Sequence, residues 1–161
     1  HSANLVNTMQ QVNPASRINI YQVDQLDIPL ILQLKTKIDA GEWLFIAGDR
    51  IPLSGERTVT VDFFNRPTEF AIGPYILAKV LQCEVHLMFS FRKGKKIYFE
   101  LVPFADQVVL PRKDDGKQLM AYAQEYASQL ERMAAQAPLQ WFNFFPYWSH
   151  ATNTKNPDQR N

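Results

Sequence analysis

Only one cysteine, Cys83, occurs in the chain, so no internal disulfide can form and a reducing compartment fits. Long apolar runs are missing too. Nothing approaches the roughly 18 residues that a membrane helix requires, and no secretory signal is present. Neither sign of charge dominates: the formal net charge of +1 gives no electrostatic case for nucleic acid. Glycines number six and histidines three. No glycine-rich loop suggests a nucleotide, and no Cys/His spacing suggests a metal. The chain also begins with His1 rather than Met and runs straight into an amphipathic pattern, so it reads as cut from something longer.

What remains is a globular composition, with 46% apolar and 20% charged residues. At 161 residues the chain is one domain, large enough for a real core. Aromatics make up 12% and many of them fall in the last third.

The organising stretch is Gly41-Glu42-Trp43-Leu44-Phe45-Ile46-Ala47-Gly48-Asp49-Arg50. Asp27 with Pro29 opens a helix carrying Ile31, Leu34 and Ile38, and Gly41 ends it. The apolar run after it, residues 43–48, predicts a strand buried on both faces. Asp49-Arg50 then sets a carboxylate beside a guanidinium at the strand's carboxyl end, where open α/β sheets bind ligands.

Upstream, Ser2 caps a predicted helix with Leu5, Met9 and Val12 on one face, and Ile18 to Val23 reads as a strand. Downstream, 49–58 reads as a loop and Thr58 to Phe64 as a strand. A turn follows at Asn65-Arg66-Pro67, then a helix opened by Gly73-Pro74 that buries Leu77, Ala78 and Leu81. Glu84 to Arg92 and Lys96 to Phe104 form an antiparallel pair about a lysine-rich turn. Asp114 or Asp115 caps the longest helix, whose stripe runs through Leu119, Ala123, Tyr126, Leu130, Met133 and Ala137 until Pro138 stops it. The fold class expected is α/β: a mostly parallel sheet flanked by helices with an antiparallel hairpin, truncated at the N-terminus. Residues 149–161 turn polar and read as a flexible tail, leaving 1–148 as the domain.

Each candidate site residue carries two readings. Asp49-Arg50 is a ligand site or a surface pair fixing a loop. Gly73-Pro74 offers helix N–H groups to an anionic oxygen or simply starts a helix. Arg92 joins the same crevice or belongs to a solvated turn, and Lys93 to Lys96 is read as a wet hairpin tip. His86, mid-strand, reads as a core or sheet-face residue, and His150 belongs to the tail. The segment Leu139 to Trp148, with Trp141, Phe144 and Phe145, is an acyl-chain wall or membrane-facing surface, or else core closure after the long helix.

In order, Gly41-Glu42-Trp43 to Gly48-Asp49-Arg50, Val61-Asp62-Phe63-Phe64, Phe70-Ala71-Ile72-Gly73-Pro74-Tyr75-Ile76-Leu77-Ala78, Arg92 and Pro138-Leu139-Gln140-Trp141-Phe142-Asn143-Phe144-Phe145 resemble one family. It is the lipid A biosynthesis acyltransferases, within the lysophospholipid acyltransferase superfamily. The likeness is closest to its branch of predicted acyltransferases and runs up to Trp148. The resemblance implies an α/β enzyme that moves an acyl chain from acyl carrier protein or coenzyme A to a lipid hydroxyl, peripherally, at the cytoplasmic face of the bacterial inner membrane. It implies substrate binding by Asp49, Arg50, Gly73, Pro74 and Arg92, with no bound cofactor or metal. Family members often carry Gly where this chain has Asn65, and Pro where it has Ile72.

One departure is larger. The family's His-x-x-x-x-Asp/Glu pair, base and orienting acid, has no counterpart: the fifth residue after His1 is Val6, after His86 Phe91, and after His150 Lys155. The resemblance therefore implies a carboxyl-terminal part of such an enzyme, without its catalytic residues and inactive alone. A lipid- or acyl-carrier-binding module is the alternative, and a nucleotide-sugar transferase using Asp49 is a weaker third. Self-association through an open sheet edge is expected. So is a gathering of Asp49, Arg50, Gly73 and Arg92 at one sheet end.

Overall fold

A computed structural model describes residues 19–21, 27–49, 57–113, 115–142 and 148. The described chain is mixed α/β. Its elements are α1 (Ile28–Asp39), β1 (Thr58–Phe63), β2 (Arg66–Ala71), α2 (Gly73–Leu81), β3 (Val85–Lys93), β4 (Lys96–Ala105), α3 (Lys117–Gln136) and a 3-10 turn, Pro138–Gln140. They divide between two compact units, residues 1–43 and 44–161.

The first unit holds α1. Asp27 caps it by accepting the Leu30 N–H at 2.9 Å, and Pro29 stands in the first turn where its missing N–H costs nothing. Leu34 is the buried residue of the helix. Gly41, at φ +88, ends it in the left-handed region, as its sequence position predicts. Lys35 pairs with Asp39 one turn on, and Lys37 reaches Glu42 at 3.0 Å. Residues 19–21 are not a strand; the rest of that expected strand, the helix opened by Ser2, most of the 49–58 loop and the 149–161 tail lie outside the described residues.

The second unit is built on two antiparallel hairpins, and the mostly parallel sheet expected from the sequence is not seen among the described residues. Each described sheet has two strands, β1 with β2 and β3 with β4, and no parallel pairing occurs among the described residues. Residues 43–48 form no strand: Trp43 is 64% exposed and Phe45 65%. The physical reason is the ladder. An apolar run becomes a strand only when a neighbour takes its N–H and C=O groups, and no described strand pairs with it.

The sequence pattern also missed β2, because Arg66-Pro67 after Asn65 reads as a turn. The actual turn is Phe64-Asn65, both at positive φ (52 and 57), the requirement of a tight primed hairpin. Asn65 thus occupies a left-handed position that glycine favours and asparagine tolerates, which accounts for the Gly-to-Asn departure noted above. Pro67 faces Asp62, one step from the closing pair Phe63–Arg66. The two residues of that step do not bond each other, so the ladder loses nothing to proline.

Asp62 therefore points its backbone groups outward, and α3 takes both of them. Gln124 Oε1 accepts the Asp62 N–H and Gln124 Nε2 donates to its carbonyl, each at 2.9 Å. Two turns later Glu131 accepts the Phe64 N–H at 3.1 Å. The helix so anchored buries Ala123, Ala127, Leu130, Met133 and Ala134. Its start is Gly116 at φ +79, not Asp114 or Asp115, with no side-chain cap. The core centres on Phe63 and Phe70, which are fully buried, with Val61, Tyr75 and Val108 around them.

Candidate functional site

The sequence-derived site residues fall on separate elements. Asp49 is half-buried in a bend after the irregular stretch and is engaged by a partner. Arg50 lies outside the described residues, as do Phe144 and Phe145. Gly73 is the exposed first residue of α2, with open space where a side chain would stand, and Pro74 follows it in the first turn. Ile72 before them is buried and donates its N–H to the Arg57 carbonyl at 3.0 Å, tying the helix start to the strand start. Arg92 is exposed and next to last in β3, opposite Ile97, beside the hairpin turn. The expected ground for gathering these residues was a common carboxyl edge of parallel strands. That edge is absent among the described residues.

The structure does join Arg92 to the segment after the long helix. Gln140 Oε1 accepts the Arg92 N–H at 2.7 Å, and Gln140 Nε2 donates to the Arg92 carbonyl at 2.8 Å. A side-chain amide here stands in for a neighbouring strand, as Gln124 does at Asp62. The strand end carrying Arg92 is thereby fixed while its guanidinium stays exposed. Neither clamp has a signal in the sequence, since a single glutamine, within a helix or after it, has no periodicity to betray it.

Trp141 takes a different place from an open acyl-chain wall. Its ring lies 5.4 Å from that of Phe63 and 6.3 Å from that of Phe64. Trp148 stacks on Phe63 at 6.3 Å and donates its indole N–H to the Phe63 carbonyl at 3.3 Å. Arg66 lies over the Trp148 ring at 5.6 Å, a favourable cation–π distance. The start of the aromatic segment therefore closes the core over Phe63, while Phe142 is 66% exposed.

Tyr75 is the titratable group that burial perturbs most plainly, pushing its phenol well above its ordinary value of 10.0. It serves the core, not a described site. Cys83 is half-buried. Among the described residues no group of His, Cys, Asp and Glu is arranged to hold a metal ion, and no helix is long and apolar enough to cross a membrane.

The decisive comparison is with protein families. The model of the bacterial lipid A biosynthesis acyltransferases matches residues 15–150. The chain belongs to that family. No curated protein and no solved structure matches it. Within the matched span of this acyltransferase-family chain lie Asp49, Arg50, Gly73, Pro74, Arg92 and Trp141, together with the two glutamine clamps.

Proposed function

We propose that this chain is part of an enzyme that transfers an acyl group from an acyl carrier protein or coenzyme A thioester to a lipid hydroxyl. The observation that carries it is the family match over residues 15–150. In that reaction the hydroxyl oxygen attacks the thioester carbonyl, its proton passes to a general base, and the thiolate leaves as the ester forms. Asp49, Arg50, Gly73, Pro74 and Arg92 would bind substrate. Cations and helix N–H groups suit phosphate and the carbonyl oxygen that gains charge. Trp141, Phe144 and Phe145 would contribute to the acyl-chain surface.

The base is proposed to come from outside this sequence, because none of its histidines has an acid five residues on. The expected place of work is the cytoplasmic face of the bacterial inner membrane, held peripherally. Acyl carrier protein and a lipid acceptor are the partners, and self-association covers any open sheet edge. A mostly parallel sheet belongs to this proposal too: residues 43–48 become a strand only where a parallel neighbour supplies their hydrogen bonds.

A non-catalytic lipid- or acyl-carrier-binding module is the second reading, favoured by the same missing His-x-x-x-x-Asp/Glu spacing. Incubating the purified chain with acyl-thioester donor and lipid acceptor, beside a form extended upstream, separates the two. Turnover is expected of the extended form alone, since losing a positioned base costs on the order of a hundred- to ten-thousand-fold. Equal turnover by both would place the base within this chain. Absence of turnover in both, with acyl chains still bound, would favour the binding module.

A further inference from the structure

The β3–β4 hairpin has two faces of opposite character. Phe89 and Phe104 pack against the core, and Glu100, on the same face as Phe89, meets Arg132 of α3 at 2.8 Å. Further along that face Phe91 and Tyr98 stack at 5.8 Å beneath Lys93. The register puts Met88, Ile97, Phe99 and Leu101 on the other face. They are 51%, 64%, 71% and 50% exposed, in adjacent cross-strand positions, so they form one apolar patch instead of scattered residues.

Arg92 stands opposite Ile97 on this same face, and Lys95 lies in the turn beyond it. Lys96, the first residue of β4, pairs with Lys93 on the opposite face at the same end of the hairpin; all are exposed. From Val85 to Phe99 the chain contains no acidic residue. An apolar patch with a purely cationic end suits a surface that is itself apolar beneath and anionic on top. A second copy of this chain offers less: the matching face would set four apolar groups together but bring two cationic turns into one interface.

We propose that the outward face of the β3–β4 hairpin docks on an anionic lipid surface, with Phe99 and Ile97 entering the headgroup boundary and Arg92 and Lys95 meeting lipid phosphates. This rests on the reading of the chain as one that acts on lipid. It adds which surface meets the bilayer, and it does not involve Trp141.

The test is sedimentation of the chain with vesicles of phosphatidylcholine alone or mixed with phosphatidylglycerol. Binding is expected to the mixed vesicles, to fall as salt rises, and to be weak on phosphatidylcholine alone. K95E is expected to weaken it on the order of fivefold or more, the effect of one cation near such a surface, and K96E, on the opposite face, by less. I97S with F99S should weaken it by roughly tenfold or more. Urea midpoints should stay close to the parent's, because all four positions are exposed, and should the apolar pair unfold the chain, the contrast between K95E and K96E alone decides.

Equal binding to both vesicle types, unchanged binding by the variants, or no vesicle binding at all would overturn the proposal. Sedimentation showing a dimer that F99S breaks, without vesicle binding, would assign the face to a second copy. Acyl-thioester binding in vesicle-free solution, measured on the same variants, keeps the two readings apart. Absence of vesicle binding by the parent, with its thioester binding intact, counts against the hairpin surface alone. Thioester binding absent from the parent, with the vesicle results as expected, counts against the acyl-transfer reading alone.

Discussion

Replacing Phe63 by alanine should remove much of the second unit's stability. The side chain is fully buried and touches Phe64, Phe70, Trp141 and Trp148, with ring centroids 4.7, 5.7, 5.4 and 6.3 Å away. Buried Phe-to-Ala changes cost about 3–5 kcal/mol, the lost transfer energy plus the cavity left behind. Edge-to-face pairs each add roughly 0.5–1.5 kcal/mol, although part of that is already counted in burial. The upper half of the range, about 4–5 kcal/mol, follows. Against a typical domain stability of about 5–15 kcal/mol this is a large share. Urea unfolding followed by tryptophan fluorescence is the natural assay, since Trp141 and Trp148 both lie on the Phe63 ring. With a slope of about 1–3 kcal/mol/M, the midpoint should fall by roughly 1.3–5 M, with the slope unchanged. F99A, at an exposed aromatic on the hairpin, should shift stability by no more than about 0.5 kcal/mol. A loss under about 1 kcal/mol for F63A, or equal losses for the two, would refute the placement of the core.

Gly48 approaches the Tyr126 hydroxyl and ring so closely that an added Cβ would stand 3.0 and 3.1 Å away. G48A should therefore cost about 1–3 kcal/mol, and Y126A should cancel most of that penalty in a double-mutant cycle. Because burial raises the Tyr75 phenol above its unfolded value of 10.0, the neutral form is favoured in the fold. Stability is thus full below that value and lost as pH rises beyond it; denaturation midpoints followed upward from pH ~8 should decline less in Y75F than in the parent. Q140M removes the two bonds to the Arg92 backbone and should cost about 1–2 kcal/mol at most, because the freed groups reach water. Faster amide exchange at Arg92, with Asp62 unchanged, would confirm that Gln140 acts locally, and no change at Arg92 would refute the clamp.

Local chemistry was enough to read several elements from the chain. Asp27, Pro29 and Gly41 bound α1 because capping and left-handed termination are properties of single residues. Gly73-Pro74 opens α2, and Pro138 halts the long helix. The β3–β4 hairpin was legible from two apolar runs about a turn whose Gly94 adopts φ +59. The ordered run of short motifs pointed to the lipid A acyltransferase family, which the match over residues 15–150 bears out.

Tertiary structure decided what depends on a partner distant in sequence. Whether the apolar residues 43–48 are a strand is settled by a neighbouring ladder, which their own composition cannot supply. Pro67 sits within β2 because its pairing position needs no N–H, a matter of register and not of propensity. Trp141 closes the core over Phe63, and Gln124 and Gln140 cap strand edges, only because the long helix and the turn after it bring them there. Contacts across 48 and 62 residues leave no periodic trace in a sequence, since each rests on one side chain meeting one backbone group.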